Sequence, residues 1–181
     1  DRLELARNDN WWGGKTPWEK VTLRILPQDA PRVAALLSGD VQVIENVPTA
    51  DVAKLKTNRQ LTMYRIVADR LIYLHLDSDR DVSPFVTDKA GKPLAKNPLK
   101  DPRVHKAISK SINRPAIVDR GMEGEAIASG QLVADFLFGA SRNLKVEPYD
   151  PEGAKKLLSE AGYPDGFGIT IHAPNNRYVN D

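Results

Sequence analysis

Residues 20–40 read "KVTLRILPQDAPRVAALLSGD", and the spacing of their apolar positions changes halfway along. Val21, Leu23 and Ile25 alternate with Thr22 and Arg24, the period of a strand with one buried face. After Pro27 the spacing lengthens. Val33, Leu36 and Leu37 fall on one helical face, Pro31 sits in the first turn, Asp29 is a candidate N-cap and Gly39 a C-terminal stop. A strand that passes into a helix across a short loop is the repeating unit of an α/β domain.

The alternation continues outward. "VQVIE" (41–45) reads as a short strand, and "VPTADVAKLK" (47–56) as a short helix with Thr49 as its N-cap. "LTMYRIV" (61–67) and "RLIYLHLD" (70–77) read as two further strands. Upstream, "DNWWGGKTPWEK" (9–20) places Trp11, Trp12 and Trp18 around Gly13, Gly14 and Pro17, so aromatic side chains clamp a turn. The clamp can also be read as a stacking platform for bases or sugars.

Beyond residue 78 the composition shifts. Residues 79–101 read as irregular, with a hairpin tip at "DKAGK". "NPLKDPRVHKAISKSINRPAIVDR" (97–120) reads as two short helices. Asp101 caps the first and Pro102 opens it, where a missing N–H costs nothing. Asn113 caps the second. Residues 123–145 form a Gly- and Ser-containing loop. In "YDPEGAKKLLSEAGYPDGF" (149–167), Asp150 is the cap and Pro151 the first residue. Ala154, Leu157, Leu158 and Ala161 hold the helical spacing, and Gly162 with Pro164 ends it. "GITIH" (168–172) then reads as a strand, followed by a polar tail.

Composition excludes several functions. The 181 residues carry 26 basic and 24 acidic side chains, too even a balance for a nucleic-acid field. The basic groups on the pair of helices (Arg103, His105, Lys106, Lys110 and Arg114) read as a solvated face. There is no cysteine, hence no disulfide and no thiolate metal site. The three histidines, His75, His105 and His172, are far apart and lack the clustering that zinc requires. No phosphate-binding glycine loop and no nucleophile elbow is present, so nothing argues positively for an enzyme. An α/β enzyme of unknown reaction, recognisable by turnover, stays as the alternative from another class. No cofactor and no metal is expected.

One segment reads as a ligand surface. In 70–77 a period of two puts Ile72, Leu74 and Leu76 on one face and Tyr73, His75 and Asp77 on the other. Polar and aromatic groups on one face at the end of a strand, just before the change in composition, suit a cleft wall. The bland alternative is a covered sheet in which Tyr73 packs and His75 is hydrogen-bonded.

Three motifs, in order, carry a resemblance. Residues 8–48, with the Trp-Gly-Gly turn and the Ser-Gly-Asp turn, resemble a segment of the family 5 extracellular solute-binding proteins. Residues 97–118 resemble that family's Asp-Pro-Arg-Val helix pair, and 149–167 its Tyr-Asp-Pro helix. These are the peptide and nickel type receptors of ABC importers, periplasmic or tethered outside the cell. The resemblance implies part of a two-lobed, periplasmic binding protein type II-like α/β fold, with mixed sheets flanked by helices. Residues 1–78 would belong to the first lobe and 79–181 to the second, both ends reading as cut from a longer chain. It implies capture of di- or oligopeptides by hinge closure and delivery to permease subunits. A nickel chelate, glutathione or a sugar is the alternative ligand. Membrane contact would run only through the permease or through a lipid anchor outside this chain. Tyr73, His75, Asp77 and Ser78 would touch ligand. Asp77 and Ser78 stand where some peptide receptors carry Asn, and a carboxylate there disfavours a peptide's own carboxylate.

Overall fold

The computed structural model describes residues 1–174, so the polar tail expected at 175–181 lies outside the described residues. The chain divides into two compact units, 1–48 and 49–181.

The first unit is built on an antiparallel hairpin of β1 (Arg2–Ala6) and β2 (Lys20–Arg24), in the register Leu3↔Leu23 and Leu5↔Val21. These four apolar residues share one face. On the other face Glu4 receives Arg2 at 3.1 Å and Lys20 at 3.0 Å. The partner strand β1 was not anticipated, although the alternation in "LELA" is its signal. Arg7 holds the long connection, through Asp9 at 2.8 Å, the Thr16 carbonyl at 3.4 Å and Glu19 at 3.5 Å. Gly14 needs its left-handed conformation, whereas a side chain at Gly13 would displace the exposed Trp11 ring. A Cβ on Gly13 would lie 2.5 Å from the Trp11 ring, and Gly14 has φ +94°.

Helix α1 spans Asp29–Leu37. Its N-cap is Gln28, without a side-chain cap bond, so Asp29 is the first helical residue rather than the cap. Its carboxylate instead pairs with Arg32, whose guanidinium also reaches the carbonyls of Leu26, Pro27 and Asn46. Val33 and Ala35 are the buried residues, while Leu37 is exposed. Gly39 ends the helix at φ +81°. Residues 41–45 form no strand.

The second unit opens with α2 (Thr49–Lys56), which buries Thr49, Val52 and Leu55. The two strands expected at 61–67 and 70–77 are not formed. A strand exists through its ladder, and among the described residues none lies beside these segments. The sheet of this unit is small: β3 (Val86–Thr87) pairs antiparallel with β4 (Gly168–Ile169), so "GITIH" supplies two strand residues rather than five. The tip at 88–92 forms as expected, with Gly91 at φ +82° and the Asp88 N–H bonded to the Lys92 carbonyl at 2.8 Å.

Helix α3 (Pro102–Ser111) packs against α5 (Pro151–Glu160). Their shared core is Val86, Leu99 and Val104, with Leu76, Leu94, Ile108, Leu158, Ala161, Tyr163 and Phe167 packed around it. Both helices start as the sequence predicts. Asp101 accepts from Arg103 N at 2.8 Å, and Asp150 from Gly153 N at 2.8 Å. The second helix of the pair is short: α4 covers Arg114–Ala116, with Asn113 capping Ala116 at 3.1 Å, and runs into one π turn, Ile117–Gly121.

Of the basic groups expected on a solvated face, Arg103 and Lys106 are exposed, whereas His105, Lys110 and Arg114 are partly buried and bonded to neighbours. Arg103 bonds Asp101 and the Glu160 carbonyl, which closes α3 against the end of α5. Lys110 lies 3.1 Å from Glu147 and 3.0 Å from Asp150. Arg114 binds Ser109, and Lys100 binds Asp81. Cations spent on neighbouring carboxylates and carbonyls are not free to neutralise phosphates.

Asp101 links this arrangement to pH. The Arg103 side chain and backbone N–H, which outweigh partial burial, hold its carboxyl down at about 2 against an ordinary 3.8. A depressed folded-state value contributes stability that is present above 3.8 and lost as pH falls through about 2. Asp101→Asn keeps the capping oxygen and removes the titration. Urea midpoints of the variant are expected to fall less steeply with acid across that window than those of the parent. Identical slopes would contradict the linkage.

Candidate functional site

Of the four residues singled out for ligand contact, the structure brings Tyr73 and His75 together and gives Asp77 and Ser78 other partners. The Tyr73 and His75 ring centroids are 6.4 Å apart with planes inclined at 44°. Both rings are exposed. The period of two thus places them side by side even without a strand ladder. Leu76, on the opposite face, reaches the core, whereas Ile72 and Leu74 remain exposed.

Asp77 turns inward to organise the loop 77–83. Its carboxylate accepts from Ser83 Oγ at 3.1 Å, Arg80 Nη1 at 3.2 Å and Arg80 N at 3.5 Å. Partial burial opposes its ionisation. The Arg80 N–H, the Ser83 hydroxyl, the Arg80 charge and the Asp79 N–H outweigh that, so the carboxyl stays below the usual carboxylate value. Its charge is therefore already offset, which weakens the repulsion that a bare carboxylate would exert on an anionic ligand.

Ser78 lies 3.3 Å from His105 Nε2. The same nitrogen meets the Leu99 carbonyl, which can only accept, so Nε2 carries the proton and Ser78 Oγ is a second acceptor. This ties the end of the candidate segment to α3.

Asn97 was not anticipated as part of this site, and it is the residue that holds it. It is 2% exposed. Its Nδ2 donates to the carbonyls of Asp77 at 2.7 Å and Arg80 at 2.9 Å, while Oδ1 accepts from Leu99 N at 3.0 Å. Lys100 adds a bond to the Asp79 carbonyl at 3.2 Å. The Asn-Pro pair at 97–98 marks a turn, but nothing local says which carbonyls the amide will reach. Among the described residues no three His, Asp or Glu side chains converge on a point that could hold a metal. The arrangement offers two exposed rings beside a hydrogen-bonded loop, a surface that a ligand can contact.

Comparison with known proteins supplies the context. All of residues 1–181 match the family described as bacterial extracellular solute-binding proteins, family 5 Middle. Heme-binding protein A of Haemophilus influenzae is 27% identical over 165 residues, covering 91% of this chain and 27% of that protein. The dipeptide-binding protein of Escherichia coli is 27% identical over 180 residues, 99% of this chain and 31% of that protein. Among solved structures, the periplasmic binding protein DppA of Helicobacter pylori, in complex with the peptide STSA, superposes with a TM-score of 0.64 at 24% identity. That superposition covers 92% of this chain and 29% of that one. The chain thus spans less than a third of the length of the relatives it matches. It shares the α/β fold of these two-lobed binding proteins.

Proposed function

This chain belongs to the bacterial extracellular solute-binding proteins of family 5, and on that premise we propose that it forms part of the receptor of an ABC importer for di- or oligopeptides. The receptor takes a peptide between two lobes, closes on it and presents it to the permease subunits. Residues 1–78 belong to the first lobe and 79–181 to the second. The protein works in the periplasm or tethered outside the cell; no helix among the described residues is long and apolar enough to cross a membrane. It is a binding protein and not an enzyme.

The observation that carries this reading is the match of every residue to one family of solute-binding proteins. Peptides are put first because a dipeptide-binding protein is similar over 99% of this chain and glutathione-binding proteins, whose ligand is itself a tripeptide, are 30–31% identical over 92% of it; a heme-binding protein, 27% identical over 91%, supplies the competing solute. Tyr73 and His75 supply side-chain contacts to ligand, while Asn97, bonded to the Asp77 carbonyl, and His105, bonded to the Ser78 hydroxyl, fix where the segment ends.

Native mass spectrometry of the intact protein, purified gently from its natural host, tests the ligand class. Mass increments of short peptides, released on collision, are the expected result. Increments of heme, glutathione, a nickel chelate or a sugar would replace the peptide assignment. Tyr73→Ala and His75→Ala are each expected to weaken binding of the released ligand about fivefold or more, as truncation of an anchoring side chain does. Calorimetric affinities unchanged in both variants would remove this segment from the site.

A further inference from the structure

Three segments of the second unit meet at Glu125. Its carboxylate lies 3.2 Å from Lys56 Nζ and 2.8 Å from Arg65 Nη2. Lys56 ends α2, Arg65 belongs to the irregular stretch that leads to Tyr73, and Glu125 follows the π turn. The carboxylate is the shielded member: its side chain is 17% exposed, against 42% for Lys56 and 56% for Arg65.

The backbone that presents Glu125 is specified closely. Glu123 and Gly124 are successive left-handed residues, at φ 50° and φ 76°. A glutamate there is disfavoured by its own Cβ, so the turn is held by its surroundings. Gly124 N–H bonds the Val118 carbonyl at 2.9 Å, and Glu125 N–H the Met122 carbonyl at 2.7 Å. A strained turn thus delivers one sheltered carboxylate to two cations from a remote part of the chain.

On the two-lobe reading above, on which this inference rests, Lys56 and Arg65 lie in the first lobe and Glu125 in the second, so the compact unit 49–181 holds residues of both lobes in contact. We propose that Glu125 is a positioning residue, an interlobe latch whose pairs with Lys56 and Arg65 stabilise the closed receptor. Exposed single pairs contribute little. Here two cations share one sheltered carboxylate, and opening would separate all three charges. The latch touches no ligand. It acts through the fraction of receptor that is closed, because apparent affinity scales with the competent population.

This chain carries no cysteine of its own, and any cysteine elsewhere in the intact protein is first replaced by serine so that labelling is site-specific. Lys54→Cys on α2 and Lys156→Cys on α5, both exposed, carry spin labels in the intact protein, and their distance distribution is measured without ligand. Glu125→Gln is expected to shift population toward longer distances, and Lys56→Gln to do so less. About 1 M salt, where the screening length is about 3 Å, should act on the parent in the same direction. The charge-reversed set, Glu125→Lys with Lys56→Glu and Arg65→Glu, should restore the short distances, which a packing role would not. Binding of a mixed dipeptide and tripeptide library should weaken about fivefold to tenfold in Glu125→Gln, within the usual range of coupling. A distribution unchanged by Glu125→Gln, or not restored by charge reversal, overturns the latch. Failure of the parent to bind peptide overturns the peptide reading alone, since the distances are read without ligand.

Discussion

Asn97→Ala is expected to lower the unfolding free energy by about 3 kcal/mol, since unmet buried polar groups cost about 1–3 kcal/mol each. The substitution strips partners from the carbonyls of Asp77 and Arg80 and from the N–H of Leu99. Water can recover part of the loss at the two loop carbonyls but not at Leu99, which is 3% exposed. With a urea slope of about 1–3 kcal/mol per molar, the midpoint should drop by about 1 M or more. Asn97→Asp should do no better. It keeps the acceptor for Leu99 but turns a negative oxygen toward two carbonyls. A midpoint within about 0.2 M of the parent, on the same urea scale, would mean that the 77–83 loop is not braced from this position. Loosening of the loop should also weaken ligand binding on the reading given above, so stability and affinity are to be measured on the same preparation.

Val104→Asp is expected to abolish the folded second unit. Val104 is 0% exposed and touches both Val86 and Leu99 in the core. A lone carboxylate there has no cation, and stranding an unpaired buried charge costs several kcal/mol, about 3–5 by analogy with broken buried pairs. That is comparable with the whole stability of many domains, about 5–15 kcal/mol. Val104→Ala separates packing from charge: it removes only two methyl groups and should cost about 1–3 kcal/mol with the fold retained. Circular dichroism and urea titration read both variants. A Val104→Asp protein as stable as the Val104→Ala protein would show that this face of α3 is open to water.

The candidate site was legible in part. The alternation in 70–77 places the Tyr73 and His75 rings side by side, because any locally extended backbone sends every second side chain the same way. It did not reveal that Asp77 would be taken up by Arg80 and Ser83, or Ser78 by His105. Those partners are chosen by a loop closure and by the approach of α3, neither of which has a periodic signature. Asn97 and Glu125 were unmarked for the same reason. A buried amide or a sheltered carboxylate has meaning only once its partners, 20 residues away for Asp77 and 69 for Lys56, are in place.

What the sequence alone determined are the features whose bonds close within a few residues. Asp101–Pro102 and Asp150–Pro151 start helices, Gly39 and Gly162 stop them in left-handed conformations, and Asp88–Lys92 turns. Each depends on a cap, a ring or a missing Cβ acting on its immediate neighbours. Tertiary structure decided which extended segments became strands. Val21, Leu23 and their neighbours found β1, and Val86 found Ile169. Residues 41–45, 61–67 and 70–77 have comparable patterns and found no ladder among the described residues. The physical reason is the reach of the hydrogen bond: a helix satisfies its own backbone four residues away, whereas a strand is completed only by a partner elsewhere in the chain.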